Sequence, residues 1–230
     1  MLLTVGDLVE EILIQLLSEP RRGADTIVRS ARLRGGSGAN VAALVAESGG
    51  AVRFVGQTGD DTIGHVLAED LRDRGVDTRV RHLGGTGVTV TTAGQGSRSR
   101  LVDRGASSRV TLIDADVLDD VSGVYLPASV FAADPLASAM DSVLGGIRDR
   151  RLPLTLGAPG SADLEEIGGP AFLELVRTLE PDAVVVNRAE HAALGCTPRE
   201  PLDGARLTVV TAGPRPTLVL SASGDESVPV

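Results

Sequence analysis

A glycine-rich stretch near the N-terminus has residue types that could hold a polar ligand. It runs from Arg34 to Ala42 with the sequence RGGSGANVA and leads into a predicted amphipathic helix. Glycine lets a ligand approach the backbone closely, and the first N–H groups of a helix have no partner within it. The side-chain amide of Asn40 can donate and accept hydrogen bonds, which suits a polyhydroxylated or anionic ligand. A tight turn with positive φ would also require these glycines, so both interpretations stay open.

A second stretch, Gly56–Gly64, has the sequence GQTGDDTIG and lies between a predicted strand and a predicted helix. Asp60 or Asp61 is placed to cap that helix, because a carboxylate there accepts a backbone N–H two or three residues further on. Capping is sufficient to explain the stretch. A position at the border of a ligand site is the second interpretation.

The third stretch, Pro181–Glu190, contains a buried strand that ends near Asn187. Ligands of parallel α/β sheets bind at the carboxyl ends of strands, which is where Asn187 and Glu190 fall. Glu190 has a hard oxygen group that can orient a water molecule on Mg²⁺. The two residues are also spaced as the N-cap and N3 positions of a capping box, which needs no ligand, and the two interpretations are compatible.

Around these stretches, short β-rich runs alternate with helical runs, which predicts an α/β fold with a mainly parallel sheet. The helix after the glycine-rich stretch has Val41, Leu44 and Val45 on one stripe, as expected of a helix that packs on a sheet. The predicted strands are Leu2–Val5, Ala51–Val55, Gly123–Leu126, Leu152–Leu156, Ala183–Val186 and Leu207–Thr211. The predicted helices are Ala39–Glu47, Thr62–Arg74, Leu136–Arg148, Ala171–Leu179 and Arg188–Leu194.

Two segments interrupt this alternation, Asp25–Leu33 and Thr86–Asp103. The second is predicted as two strands joined by a turn at Gly94–Gly96, and the alternation of Val88 and Val90 predicts strands with one exposed face. We expect a small separate sheet that acts as a lid or a dimerisation flap. A plain surface hairpin is the alternative.

The composition excludes several classes of function. The 230 residues include 22 basic and 31 acidic side chains, a net charge of −9, so the clustered phosphate contacts of a nucleic-acid-binding protein are not expected. Every basic residue is arginine, which excludes Walker A and Schiff-base mechanisms because both need lysine. The single cysteine, Cys196, has no internal disulfide partner. The three histidines are far apart in the sequence without metal-ligand spacing, so no zinc site is expected: His65, His82 and His191.

The N-terminal residues do not have the pattern of a targeting segment. Leu2 and Leu3 are apolar, but Asp7 and Glu10 interrupt the run and no basic residue precedes it. No apolar stretch approaches the roughly 18 residues needed to cross a bilayer. We therefore expect a cytoplasmic protein without membrane contact.

In this order and at these separations, the three stretches resemble the ribokinase-like carbohydrate kinases, also called the PfkB family. The resemblance extends from Leu2 to about Ser221, nearly the whole chain. Further matching elements are the opening strand Thr4–Glu11, the Gly35–Asn40 turn, the Gly56–Gly64 stretch, Arg104-Gly105-Ala106, Asn187-x-x-Glu190 and Thr211-Ala212-Gly213.

This resemblance implies a ribokinase-like three-layer sandwich with a mainly parallel central sheet and a small β lid. It implies one domain over residues 1–230, with lid segments at about 12–34 and 86–103, and a homodimer formed through the lid. The implied activity is transfer of the γ-phosphoryl group of ATP to a hydroxyl group of a sugar or sugar-like substrate, with Mg²⁺. Such transfer needs positioning and charge neutralisation rather than a covalent nucleophile.

The resemblance also implies roles for particular residues. Glu190 would hold Mg²⁺ through a water molecule. The residues that would bind the nucleotide are Asn187, Thr211 and Gly213. The residues that would bind the substrate are Glu11, Gly35, Gly36, Asn40 and Arg104.

The sequence departs from the family pattern at four places. The segment of the type Asp-Thr-x-Gly-Ala-Gly-Asp, whose last Asp is the family's base, is absent from the 230 residues. No catalytic residue is therefore assigned, and we expect the domain to be incomplete at its C-terminus. Glu11 replaces the usual Asp and affects the choice of sugar. Gly157 replaces an Asp after a strand and removes a charged contact, and Pro216 replaces a glycine near the nucleotide.

Two other functions fit parts of the sequence. A noncatalytic sugar- or nucleotide-binding protein, or a dimerisation module, would keep the glycine-rich turn without a base. A serine hydrolase would use Ser37 in a G-x-S-x-G motif, but Ala39 occupies the last glycine position and no histidine is spaced as its partner. Among kinase substrates, ribose, fructose, a 2-keto-3-deoxy sugar acid and a nucleoside stay open. Three arginines near the lid favour an acidic sugar or are solvated surface charge: Arg98, Arg100 and Arg104.

Overall fold

The computed structural model describes residues 1–94, 97–160, 164 and 167–230. The predicted α/β class is confirmed, because helices accompany a large, mostly parallel sheet and a small second sheet is present. Contacts divide the chain into two compact units. The N-terminal unit is Thr4–Leu112, and the C-terminal unit combines Ile113–Val230 with Met1–Leu3. None of the helices within the described ranges is long and apolar enough to cross a membrane.

The N-terminal unit contains strands of both sheets and two helices. Its helices are α1 (Ser37–Glu47) and α2 (Thr62–Asp73). Its strands are β1 (Leu2–Val5, of which the first two residues belong to the other unit), β2 (Val9–Leu16), β3 (Val28–Gly35), β4 (Val52–Thr58), β5 (Asp77–His82), β6 (Thr86–Gly94) and β7 (Ser97–Gly105). In the large sheet the order here is β1-β4-β5, with β4 and β5 parallel.

The small sheet has the strand order β3-β2-β6-β7. β2 runs parallel to β6, and the two outer pairs are antiparallel. β6 alternates as expected, but its buried side chains are Thr89 and Thr91, whereas Val88 and Val90 are half-buried. The small sheet predicted for the Asp25–Leu33 and Thr86–Asp103 segments is therefore present. Of the predicted turn at Gly94–Gly96, Gln95 and Gly96 lie outside the described residues.

The C-terminal unit contains six strands and three helices in the described part of the chain. The helices are α3 (Leu136–Arg150), α4 (Gly169–Leu179) and α5 (Arg188–Ala193). The strands are β8 (Gly123–Pro127), β9 (Leu154–Gly157), β10 (Ala183–Asn187), β11 (Leu207–Ala212), β12 (Arg215–Ser221) and β13 (Gly224–Val228). They are neighbours in this order; β8 to β11 are parallel, and β12 and β13 are added antiparallel.

Apolar side chains of these elements form the core of each unit. Phe54 of β4 and Leu71 of α2 are completely buried in the N-terminal unit. Leu156 of β9 and Phe172 of α4 are completely buried in the C-terminal unit. Strands with both faces covered are expected to be continuously apolar, as the sequence of β10 shows.

Several predicted boundaries differ from the structure. The strand predicted at Ala51–Val55 runs to Thr58, because Gln57 and Thr58 are buried and pair with β5. The helix predicted from Ala39 begins at Ser37. The stripe predicted to pack on the sheet is wrong, because α1 buries its small residues Ala39, Ala42 and Ala43, whereas Leu44 is 62% exposed. The opening strand predicted over Thr4–Glu11 is two strands, since β1 ends at Val5 and β2 belongs to the small sheet.

Smaller differences have local causes. The strand predicted from Leu152 begins at Leu154, because the Leu152 N–H bonds to Ile147 of α3 and Pro153 has no N–H for a sheet. Pro216 lies in β12 next to a register shift and not in the turn after Gly213, which fits the restriction of proline to irregular strand positions. The strands β5, β12 and β13 were not predicted: β5 and β13 are mostly polar, and the apolar run of β12 is only three residues long, Leu218–Leu220.

Candidate functional site

The glycine-rich stretch forms the turn before α1. Gly36 is the N-cap residue with a φ of 107°, and a Cβ on it would overlap the backbone oxygen of Asp7. Within the first turn of α1, a Cβ on Gly38 would lie 2.7 Å from the backbone oxygen of Val5. Close backbone packing therefore requires a glycine at both positions, which agrees with the tight-turn interpretation of this stretch.

Beside this turn the N-terminal unit has an open cleft with a volume of about 640 Å³. Glu11 of β2 and Asn40 of α1 lie in its wall. The Thr91 hydroxyl donates a hydrogen bond to Glu11 at 3.1 Å, which orients the carboxylate. A carboxylate and an amide in one wall offer acceptors and a donor to the hydroxyl groups of a polyol. The other described residues that line the cleft are Glu10, Arg32, Leu33, Arg34, Ile63, Val66, Leu67, Asp70 and Arg74.

Three of the five predicted substrate residues are not among the described residues of this wall. A Cβ on Gly35 would lie 3.2 Å from the Cβ of Glu11, so the glycine packs directly behind that side chain. The Arg104 Nε lies 4.0 Å from the Asp7 Oδ2, in an ion pair. The structure thus brings two predicted residues into one cleft and places the other three beside it: Gly35, Gly36 and Arg104.

Three arginines that are not among the predicted site residues line the cleft: Arg32, Arg34 and Arg74. Arg34 and Arg74 both pair with Asp70, the latter at 3.0 Å. Arg32 pairs with Glu10 at 3.4 Å. The Arg34 Nε is buried and has no hydrogen-bond partner in the described part of the chain, so one donor at the cleft wall is unsatisfied. Their positions follow from the pairing of β2 with β3 and the packing of α2, which no local sequence signal reveals.

Asp61, and not Asp60, caps α2. Its carboxylate accepts hydrogen bonds from the Gly64 N–H at 2.8 Å, the Thr86 N–H at 2.8 Å and the Thr86 hydroxyl at 2.6 Å. These bonds lower the pKa of Asp61, with the Thr86 hydroxyl as the largest cause. Asp61 therefore joins the start of α2 to the first residue of β6. The cap interpretation of the Gly56–Gly64 stretch is confirmed.

Two histidines that are distant in the sequence are in contact. The rings of His65 and His82 are stacked with their centroids 4.1 Å apart, a contact that their distance along the sequence does not indicate. His65 contacts Asp60 at 3.1 Å. The described residues include no group of three His, Cys, Asp or Glu side chains that could hold a metal ion.

In the C-terminal unit, the predicted nucleotide residues lie at the carboxyl ends of β10 and β11. Asn187 and Thr211 are register partners in the parallel pair β10–β11. The Thr211 hydroxyl is 3.4 Å from the Val186 backbone oxygen, and Gly213 turns the chain into β12 with a φ of 62°. Adjacent parallel strands therefore place these residues at one edge of the sheet, where α/β proteins bind ligands.

Asn187 and Glu190 form the predicted capping box. The Asn187 Oδ1 accepts from the Ala189 and Glu190 N–H groups, both at 2.9 Å. The Glu190 Oε2 accepts from the Asn187 N–H at 2.8 Å. No described residue donates to the other Glu190 oxygen, and burial raises the pKa of this carboxyl group. A hard oxygen with a free lone pair at a strand end fits the donor preference of Mg²⁺.

Gly157 is the last residue of β9, and the space that its side chain would occupy is filled. A Cβ there would overlap the hydroxyl oxygen of Tyr125, which comes from the neighbouring strand β8. Burial, and the negative charge of Glu190, raise the pKa of Tyr125. The absence of a charged side chain at Gly157 was anticipated from the sequence, whereas the phenol in its place depends on the register of β8 and β9.

The chain belongs to the pfkB family of carbohydrate kinases. The profile described as pfkB family carbohydrate kinase matches residues 9–230, which confirms the resemblance found in the sequence. Adenosine kinase from Sinorhizobium meliloti has a similar structure, with a TM-score of 0.84, 21% identity, and coverage of 100% of this chain and 79% of that one. A sugar kinase from Pyrococcus horikoshii in complex with ATP has a TM-score of 0.78 and 23% identity, over 100% of this chain and 76% of that one.

A curated relative is similar over a shorter region. Fructokinase-1 from Oryza sativa subsp. japonica is 58% identical over 43 residues, which are 19% of this chain and 13% of that protein. The matched region is thus a small part of the fructokinase.

Proposed function

We propose that the protein is an ATP-dependent kinase that phosphorylates a hydroxyl group of a sugar or sugar-like substrate. The observation that carries the proposal is the cleft that holds Glu11 and Asn40 directly beside the glycine turn. Membership of the pfkB family supports a carbohydrate as the substrate class. The fructokinase relative makes fructose the first sugar to test.

In this proposal the N-terminal unit binds the substrate. The Glu11 carboxylate accepts hydrogen bonds from sugar hydroxyls, and the Asn40 amide donates and accepts. Gly35 and Gly36 supply a turn without side chains. Arg104, held beside Asp7, contributes positive charge next to the turn.

The C-terminal unit binds ATP and Mg²⁺ in this proposal. Asn187, Thr211 and Gly213 contact the nucleotide, and Glu190 orients a water molecule on Mg²⁺. The free oxygen of Glu190 supports the metal role, and the ATP complex of the Pyrococcus horikoshii kinase supports the nucleotide. When bound, Mg²⁺ neutralises charge on the phosphates during transfer. The chain's own residues orient the ligands, and none of the described ones is assigned as the base.

The alternative is a noncatalytic protein that binds a sugar or a nucleotide, or forms dimers. It would use the same cleft, since binding needs no base. The noncatalytic alternative predicts ligand binding without ADP release, whereas the kinase proposal predicts both.

The test measures ADP release with Mg²⁺, ATP and a panel of fructose, ribose, a 2-keto-3-deoxy sugar acid and adenosine. We expect sugar-dependent turnover that Glu11→Gln reduces about tenfold or more through loss of a charged hydrogen bond. Glu69→Gln, on the exposed side of α2, is the control and should leave turnover unchanged. The intact mass of the purified protein is compared with 23.7 kDa in parallel. Sugar binding by calorimetry without ADP release would instead favour the noncatalytic alternative.

The proposal includes a homodimer formed through the small sheet, as well as a cytoplasmic location. The outer strands of this sheet expose large apolar side chains, and the exposed fraction reaches 66% for Leu101. Exposed apolar groups on edge strands favour association. The others are Val28, Leu33 and Val102.

A further inference from the structure

Tyr125 places a phenol hydroxyl at the carboxyl end of β9. Tyr125 is paired in register with Thr155 of β9, and Gly157 lies two residues further along that strand. A Cβ built on Gly157 would overlap the Tyr125 Oη and lie 2.8 Å from its Cζ. The ring therefore leans along the strands over Gly157, and its hydroxyl reaches the strand end.

The strand end that the hydroxyl reaches adjoins the proposed nucleotide residues. Gly157 is the register partner of Val185 in β10, and Asn187 follows two residues later on the same face. Asn187 is joined to Glu190 by the capping box at the start of α5, and the negative charge of Glu190 contributes to the raised pKa of Tyr125. The phenol, the amide and the carboxylate thus share one edge of the sheet within the C-terminal unit.

The chemistry of this hydroxyl matches a phosphate. A phenol is protonated at neutral pH, because its ordinary pKa is about 10. At neutral pH the phosphate oxygens of a nucleotide are largely deprotonated, so they accept hydrogen bonds. No described residue accepts a hydrogen bond from the Tyr125 hydroxyl. A half-buried ring also fixes the direction of the O–H group before a ligand binds.

We propose that Tyr125 is a phosphate-binding residue of the nucleotide site, and that its hydroxyl donates a hydrogen bond to a nucleotide phosphate in the space above Gly157. This inference rests on the proposed function, because it needs a nucleotide at the ends of β10 and β11.

The protein offers a direct probe of this site, because Tyr125 is its single tyrosine and it has no tryptophan. Tyrosine emission therefore reports on one side chain. ADP, the non-hydrolysable analogue AMP-PNP, and adenosine are each titrated, with emission and calorimetry as the readouts. We expect ADP and AMP-PNP to change the emission, and adenosine to leave it nearly unchanged.

Tyr125→Phe removes only the hydroxyl. We expect it to raise the Kd for ADP and AMP-PNP about tenfold, equal to about 1.4 kcal/mol, and to leave the Kd for adenosine unchanged. Thr155→Val, at the paired register position, is the control that removes a hydroxyl away from the strand end. The phosphate contact is overturned if Tyr125→Phe loses as much affinity for adenosine as for ADP, or if it loses no affinity for any nucleotide. The proposed function stands in that case, provided that the parent protein binds nucleotides. Failure of the parent protein to bind any nucleotide overturns both.

The variant Gly157→Ala provides a second test of the phosphate contact. The added methyl group displaces the hydroxyl without removing it, so we expect weaker ADP binding and a changed tyrosine emission in the free protein. In the Tyr125→Phe background, the same change should add little further loss of ADP affinity, because the hydroxyl is already absent. If the losses of ADP affinity caused by Gly157→Ala and by Tyr125→Phe add fully in the double variant, the proposal is contradicted.

Discussion

At the scale of single residues, carboxylates in this chain combine two roles that the sequence cannot separate. Asp61 caps α2 and also accepts two hydrogen bonds from Thr86. Glu190 completes a capping box with one oxygen, and none of the residues that the structure describes donates to the other. Substitutions that keep the hydrogen bond and remove the charge can distinguish the structural role from the ligand role.

We predict that Asp61→Ala lowers the free energy of unfolding by about 2 kcal/mol, because it removes a helix cap and leaves the Thr86 groups without an acceptor. The pKa of Asp61 is lowered in the folded state, so its stabilisation is present above the unfolded pKa of about 3.8. It is lost as the pH falls through the lower folded pKa. Urea denaturation at several pH values should show the difference between parent and variant shrinking below about pH 4.

Asp60→Ala is the matched control for this prediction, since Asp60 contacts the exposed His65 side chain. It should change the free energy of unfolding by about 0.5 kcal/mol or less. Equal losses for the two variants would show that Asp61 is not the cap.

We predict that Glu190→Gln keeps the fold and weakens the Mg²⁺-dependent binding of ATP about tenfold. The amide oxygen can still accept from the Asn187 N–H, whereas the charge that would orient a metal-bound water is removed. Calorimetry with and without Mg²⁺ measures the effect, and thermal unfolding checks the cap. Glu174→Gln on α4 is the control, and an unchanged Mg²⁺ dependence in Glu190→Gln would refute the metal role.

At the scale of elements, the packing around a helix decides which glycines can be replaced. α3 contains two adjacent glycines in its interior, where glycine usually lowers helix stability. A Cβ on Gly145 would meet open space, whereas one on Gly146 would overlap the Leu118 Cδ1. The sequence shows two equal glycines, whereas the 3₁₀ helix Ala115–Leu118, which contacts α3, makes their surroundings different.

We predict that Gly145→Ala raises the free energy of unfolding by about 0.5–1 kcal/mol, through its higher helix propensity. Gly146→Ala should be less stable than Gly145→Ala by about 1 kcal/mol or more, because Leu118 is buried and must move. Urea denaturation of the two variants tests the comparison directly. A Gly146→Ala protein as stable as the Gly145→Ala protein would mean that Leu118 adapts without cost.

At the scale of the whole molecule, the small sheet has exposed apolar side chains on both of its outer strands. β3 and β7 are its outer strands, and both contain exposed large apolar residues. A sheet with two open edges is only weakly protected against association. The proposed dimer would cover these side chains.

We predict that the protein sediments as a dimer and that Leu101→Asp shifts it to a monomer without unfolding it. A charge in place of an apolar group in a desolvated interface opposes association. Leu44→Asp on α1 is the control, because Leu44 is similarly exposed, at 62% against 66% for Leu101, and lies outside the small sheet. Sedimentation of the parent protein as a monomer, or no effect of Leu101→Asp, would contradict a dimer through this sheet.

Much of the fold follows from local patterns in the sequence. The buried strand at Ala183–Asn187 and the helix at Thr62–Asp73 were predicted to within one residue, because their apolar runs and capping carboxylates act over a few residues. The family was identified from motifs that combine glycine turns with strand ends. β5 and β13 escaped prediction, since edge strands carry polar residues and are defined by their partners.

The sequence by itself determined the α/β class, the family, a cap of α2 at Asp60 or Asp61 and the capping box at Glu190, because each is recognised from short motifs of neighbouring residues and their order along the chain. The tertiary structure decided which side chains share a site. It brought Arg34 to the cleft with Glu11 and placed the Tyr125 hydroxyl over Gly157. Such contacts depend on strand pairing and register between segments far apart in the chain, and a shift of one residue would turn these side chains to the opposite face of the sheet.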